Sequence, residues 1–190
     1  MARQPDHEVD AVFPDRWSPR AFSSEPLTPA QVDALFEAAR WALSSGNEQP
    51  WHFVYGTSDE ERGELVGLLN DSNRRWAGKA PLIGFVIARR QNGKGLPNRH
   101  CAFDTGAAWM SLNLQARRLG LHAHGMAGFD LGRAYEVLGF APETHEVMCA
   151  FVVGKHGKTE DLPEDLQARE VHSGRKPTAE IARRFKPGGG

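Results

Sequence analysis

The chain has 190 residues, enough for one domain with a core of its own, and its 40% hydrophobic and 25% charged residues are those of an ordinary globular protein. A formal net charge of -1 supplies no basic field to attract nucleic acid or an anionic membrane, so the arginine-rich stretches are local features. Cys101 and Cys149 belong to no CxxC pair, which removes zinc and dithiol motifs; with no signal-peptide pattern they predict a reducing, cytoplasmic setting.

In chain order, residues 1–12 read as a flexible arm, polar onward to Asp15. The first helix starts after Thr28, which caps it; Pro29 takes the first helical position and Gln31 completes a capping box. Val32, Leu35, Phe36 and Ala39 mark its apolar face, Leu43 continues it, and the polar turn 44–50 ends it. Trp51–Gly56 alternates as a strand. Ser58 and Glu61 form a second capping box, opening a helix with Leu65, Leu68 and Leu69 inward. Residues 81–88 are an unbroken apolar run, a central strand buried on both faces and far too short to span a bilayer.

Residues 89–100 form a polar loop. A long helix follows over 102–119, with Phe103, Ala107, Met110 and Leu114 on its inner side and Gly120 just past its end. Residues 121–126 read as a short strand, Asp130 caps a short helix ending at Gly139, and 146–154 is the last strong strand. From Lys155 onward the chain is polar, with no compact element able to bury itself; such a tail extends into solvent or wraps a partner. Helices and strands mix without strict βαβ alternation, which predicts an α+β fold in one domain over 1–190.

No GxGxxG, P-loop or GxSxG pattern occurs. His122 and His124 would share a strand face and could hold a metal, but no matching carboxylate or cysteine cluster stands near them in sequence, so no metal site is assigned. Without an obvious nucleophile or paired acid and base, the chain suits an enzyme whose cofactor carries the hard chemistry. Arg16-Trp17-Ser18-Pro19-Arg20 sets two guanidinium groups and a hydroxyl within five residues, the chemistry that holds a phosphate or an electron-rich ring edge. The turn 44–50, slung between an amphipathic helix and an aromatic strand, is the kind of loop on which ligands bind.

In order along the chain, Arg16-x-Ser18-x-Arg20-x-Phe22, the block from Ala38 through Asn47 to Trp51, Asn73 to Trp76 followed by Ala80-Pro81, Asp104 to Ala108 with Gly125 to Asp130, and Arg175-Lys176-Pro177 resemble the motifs of nitroreductase-like FMN enzymes, over roughly residues 12–181. The resemblance implies a mainly antiparallel central sheet flanked by helices. It also implies an intertwined homodimer with exchanged C-terminal arms, here residues 156–190. By it, Arg16, Ser18 and Arg175 hold the FMN phosphate and Trp17 flanks the flavin. Arg20 sits near N1 and the C2 carbonyl, Asn73 bonds the pyrimidine edge, and the Ala127-Gly128 backbone approaches N5. Ser44, Ser45 and Asn47 reach the flavin bound mainly to the other subunit.

The activity implied is ping-pong hydride transfer from NADH or NADPH through FMN to small acceptors such as nitroaromatics or quinones. Enal or semialdehyde reduction, dehalogenation, flavin breakdown and flavin binding without turnover are the alternatives on the same fold; a domain binding no flavin is a further one. Trp51 and Trp109 read as packing residues. Three departures stand out: Ser173 occupies a position where many relatives carry lysine, Ala127 stands where some have glutamate, and the loop 91–100 is short, which predicts an open pocket.

Overall fold

The structure is a computed structural model and describes residues 3–187; the first two residues of the expected arm and the glycine tail lie outside the described residues. Four strands, β1 (Trp51–Gly56), β2 (Leu82–Arg89), β3 (His122–Met126) and β4 (His145–Gly154), form one sheet in the order β1-β2-β4-β3, antiparallel throughout. Helices cover both faces, which explains the unbroken apolar run of β2. Leu82 and Val86 point to α2 (Pro29–Arg40) and α5 (Cys101–Arg118). Ile83, Phe85 and Ile87 point to the opposite core, closed by α3 (Asp59–Gly67), α4 (Asp71–Ala77) and α6 (Leu131–Leu138). Midway along β2, the Phe151 ring lies over Gly84. A Cβ there would sit 2.5 Å from the Val54 carbonyl oxygen and 2.8 Å from that ring, so the tight crossing of three strands admits only glycine.

The helix signals act as read. Thr28 with Gln31, and Ser58 with Glu61, form complete capping boxes; Asp130 caps α6, which stops at a left-handed Gly139. The phase of α5 differs. Its inner face is Cys101, Asp104, Thr105, Ala108, Leu112 and Ala116, whereas Phe103 is 73% exposed and Met110 is also exposed. Small side chains let α5 lie close on the sheet and against α2, and the bulky ones face outward. The helix α4, absent from the sequence reading, starts at an Asn70 cap.

The described segments near both ends make contacts with the body of their own chain. From Arg3 the N-terminal arm is tied down: Arg3 donates to the Arg16 carbonyl (2.5 Å) and the Ser173 carbonyl (2.9 Å), and residues Val12–Asp15 form a short helix, α1, that packs on α5. After β4, Leu162 and Leu166 are buried in their own subunit's core, the latter from α7 (Glu164–Gln167), which Arg75 of α4 clamps through Asp165 at 2.5 and 2.9 Å. A last short helix, α8 (Thr178–Ile181), is exposed, like every described residue from 171 on.

Candidate active site

The segment leading to α2 and the segment after α7 meet beside β3. Together they line a cleft of about 390 Å³ bearing five guanidinium groups, from Arg3, Arg16, Arg20, Arg169 and Arg175, and no carboxylate. Trp17, Ser18, His124 and Ser173 complete its polar and aromatic lining. The sequence motif thus brings Arg16, Trp17, Ser18 and Arg20 together with the distant Arg175. Arg3, Arg169 and His124 were not among the expected site residues, and no motif marks the two arginines.

The cleft is crowded with like charge. Burial, then the positive charges of Arg175 and Arg3, lower the Arg16 pKa; burial and Arg169 lower that of Arg20. Beyond Ser18 Oγ at 3.4 Å, the Arg16 side chain has no hydrogen-bond partner among the described residues. Ser173 Oγ accepts from Arg3 (3.1 Å) and from Arg175 (3.0 Å), so Arg3 brings a cation to the position where a lysine was missed. A site built this way accepts a polyanion: guanidinium forks match phosphate oxygens, and such a group relieves their mutual repulsion. The donor set fits the phosphate end of FMN.

The loop that carries Arg20 is fixed from behind. Glu170, whose side chain is 1% exposed, accepts the backbone N–H groups of Arg20 (2.9 and 3.0 Å) and Ala21 (2.9 Å) and contacts His156 Nε2 at 3.2 Å. No sequence pattern pairs it with a loop 150 positions away. Behind the same loop, His124 Nδ1 lies 2.6 Å from the Pro19 carbonyl and its ring leans on Trp76 of α4 at 4.6 Å.

One turn before Trp76, Asn73 links the cleft to a second feature. Its Nδ2 donates to the Gly128 carbonyl at 3.0 Å, and the Asn70 N–H donates to the same oxygen at 3.1 Å. A Cβ on Gly128 would overlap Asn70 Nδ2 and approach Asn73 Nδ2 to 2.9 Å, so the ledge of exposed Ala127 and half-buried Gly128 rests directly on α4. Ser44, Ser45 and Asn47 do not line this cleft; they lie in the turn between α2 and β1. That turn holds Gly46, Asn47 and Gln49 at positive φ (61°, 56° and 46°), an uncommon conformation for the two non-glycine residues. It is pinned by the buried Asp104, which accepts the Ser45 N–H at 3.1 Å, and by Glu48, which accepts from Arg89 (3.0 Å, at its carbonyl) and from the Gly93 N–H (2.8 Å). The Gly93 contact ties the short 91–100 loop to this turn.

His122 and His124 each have a separate partner, Arg117 and the Pro19 carbonyl, and the described residues hold no cluster of three metal-ligating side chains. Burial pushes both pKa values down to about 4; Arg117, His156 and His172 add to the effect at His122, where a backbone contact with Trp17 opposes it, and Arg20 and Arg16 add to it at His124, where the Pro19 hydrogen bond and Glu170 oppose it. The unfolded chain takes up these protons near pH 6.5 and the folded chain only near 4. Their contribution to stability is therefore level above pH 6.5 and falls as the pH drops through that window, with His124 alone accounting for a loss of roughly 3 kcal/mol at the acid end. Urea midpoints from pH 8 to 4 are expected to decline with that onset, and less steeply in His124→Gln.

Known proteins match this chain in sequence and fold. The profile described as Nitroreductase family matches residues 14–80 and 68–155. A Streptomyces coelicolor protein provisionally named NADH dehydrogenase/NAD(P)H nitroreductase is 25% identical over 168 residues, covering 78% of this chain and 85% of its own length. A crystal structure described as the oxidoreductase containing FMN is 40% identical and superposes with a TM-score of 0.91, covering 99% of this chain and 97% of that one. A structure from Exiguobacterium sibiricum, described as a nitroreductase in complex with FMN, shares the fold at 18% identity and a TM-score of 0.75, covering 96% of this chain and 100% of that one. The profile spans the whole sheet and helices α2 to α6 that cover it, and the chain belongs to the nitroreductase family.

Proposed function

We propose that this chain is an FMN-dependent oxidoreductase that takes hydride from NADH or NADPH and delivers it to small acceptors such as nitroaromatics and quinones. The observation that carries this reading is the carboxylate-free cluster of five guanidinium groups, joined through His124, Trp76 and Asn73 to the Gly128 ledge. FMN bound there would supply the two-electron chemistry of hydride transfer. The protein binds and orients. Arg16, Ser18, Arg175 and Arg3 hold the phosphate, and Trp17 flanks the site. Arg20 presents a cation to the electron-rich edge of the ring, which favours the charge that accumulates on reduction. Asn73 and the Ala127-Gly128 backbone set the edge and the close approach.

The same reading assigns Ser44, Ser45 and Asn47 to the flavin of a partner subunit. Phe103, Met110 and the 74% exposed Trp41 supply outward apolar surface on α5 and beside α2, in keeping with a homodimer. The described residues after Thr178 are the part of the expected 156–190 arm available for exchange, since Leu162 and Leu166 are committed to their own core and Ser173, Arg175 and Thr178 to contacts within their own subunit. No helix among the described residues is long and apolar enough to cross a membrane, and two free thiols accord with a cytoplasmic setting.

The test is a visible spectrum of protein purified without added cofactor, recorded before and after anaerobic NADH or NADPH. A flavin spectrum that bleaches is the expected result. Flavin that stays oxidised with both donors makes the chain a binding protein, and a colourless protein that takes up no FMN overturns the assignment.

A further inference from the structure

The guanidinium cleft is rich in donors and poor in acceptors. Arginine side chains and the Trp17 indole only donate. Among its lining side chains, acceptors are confined to two serine hydroxyls and one imidazole. Both hydroxyl oxygens already take guanidinium N–H groups: Ser18 Oγ from Arg16, and Ser173 Oγ from Arg3 and Arg175. That leaves His124.

Its tautomer follows from its partner. A carbonyl oxygen can only accept, so the 2.6 Å contact to Pro19 requires the proton on Nδ1 and leaves the lone pair on Nε2. Burial, opposed by the Pro19 hydrogen bond and Glu170 and reinforced by Arg20 and Arg16, keeps the ring neutral at pH 7, with its pKa pushed down to about 4. Nε2 has no hydrogen-bond partner among the described residues, and the Trp76 contact at 4.6 Å braces the ring. His124 is thus a fixed, neutral acceptor on the wall of an anion cleft.

A phosphate, which brings only acceptors, has no use for such a group. A chain with hydroxyl groups on the carbons next to its phosphate does, because each hydroxyl proton needs an acceptor once removed from water. Resting on the FMN reading above, the geometry points to His124 as a binding residue that accepts a hydrogen bond from a ribityl hydroxyl of the cofactor, so that the cleft recognises a polyol phosphate rather than a bare phosphate.

The experiment titrates deflavinated protein at pH 7.5 with FMN and with a 10-(5-phosphopentyl) analogue, in which the ribityl hydroxyls are replaced by hydrogen, following flavin fluorescence. Wild type is expected to bind FMN about tenfold more tightly than the analogue, the scale of one net hydrogen bond. His124→Phe should bring that ratio close to one while leaving affinity for the analogue near its wild-type value. His124→Gln, which keeps an oxygen acceptor, should restore part of the ratio and serves if the Phe variant folds poorly. Equal weakening of both ligands in the variants, or no discrimination by wild type, overturns the assignment of His124. Failure of wild type to bind either ligand overturns the flavin reading itself.

Discussion

Glu170→Ala is expected to destabilise the protein by about 2–4 kcal/mol and to loosen its hold on FMN together. The carboxylate is buried and accepts two successive backbone N–H groups, those of Arg20 and Ala21, with His156 beside it. Truncation leaves these donors in a dry site next to Ala21 and Phe22, each 2% exposed, and an unmet buried donor costs about 1–3 kcal/mol. The loss should appear as a lower urea midpoint with an unchanged slope. Because Glu170 fixes the backbone from which the Arg20 side chain springs, faster FMN dissociation should accompany it. Glu170→Gln keeps one accepting oxygen but turns an N–H towards an N–H, so it should fall between wild type and Ala. An Ala variant within 0.5 kcal/mol of wild type, the range of ordinary surface changes, would show that water replaces the carboxylate.

Glu170 also marks the limit of what the sequence discloses. Local devices were legible because their partners stand two or three residues apart: the Thr28 and Ser58 boxes, the Asp130 cap, and the alternation of β1. The phase of α5 was not. Counting Phe103 and Met110 as inward follows from hydrophobicity alone, whereas packing on a sheet selects Ala108 and Ala116 and leaves the large residues for outside surface. The helix α4 has no apolar period to betray it, and its one signal is the Asn70 cap. In the tail, Leu162 and Leu166 at a spacing of four were the available hint of a docked segment. The expected cleft residues were found through motif order, while Arg3, Arg169 and Glu170 reach the same place by tertiary routes that leave no pattern, and the pairing of His124 with His122 pointed only to a metal site.

Arg16→Ala should separate stability from binding by moving them in opposite directions. The Arg16 guanidinium is half-buried, pressed by Arg175 and Arg3, and accepted only by Ser18 Oγ at a long 3.4 Å. Its backbone carbonyl, not its side chain, anchors Arg3. Removing the side chain therefore relieves repulsion and desolvation without breaking a structural bond, and the unfolding midpoint of cofactor-free protein should stay level or rise. FMN affinity should fall by about 10- to 100-fold, the scale of a charge-assisted hydrogen bond to phosphate. The dependence of FMN affinity on salt should become shallower as one cation leaves the cluster. A cation placed for stability would give the reverse: a lower midpoint without FMN and an affinity close to wild type. A side chain that weakens the fold alone and strengthens it once a dianion binds is a binding group, and proteins retain such local instability at sites where function requires it.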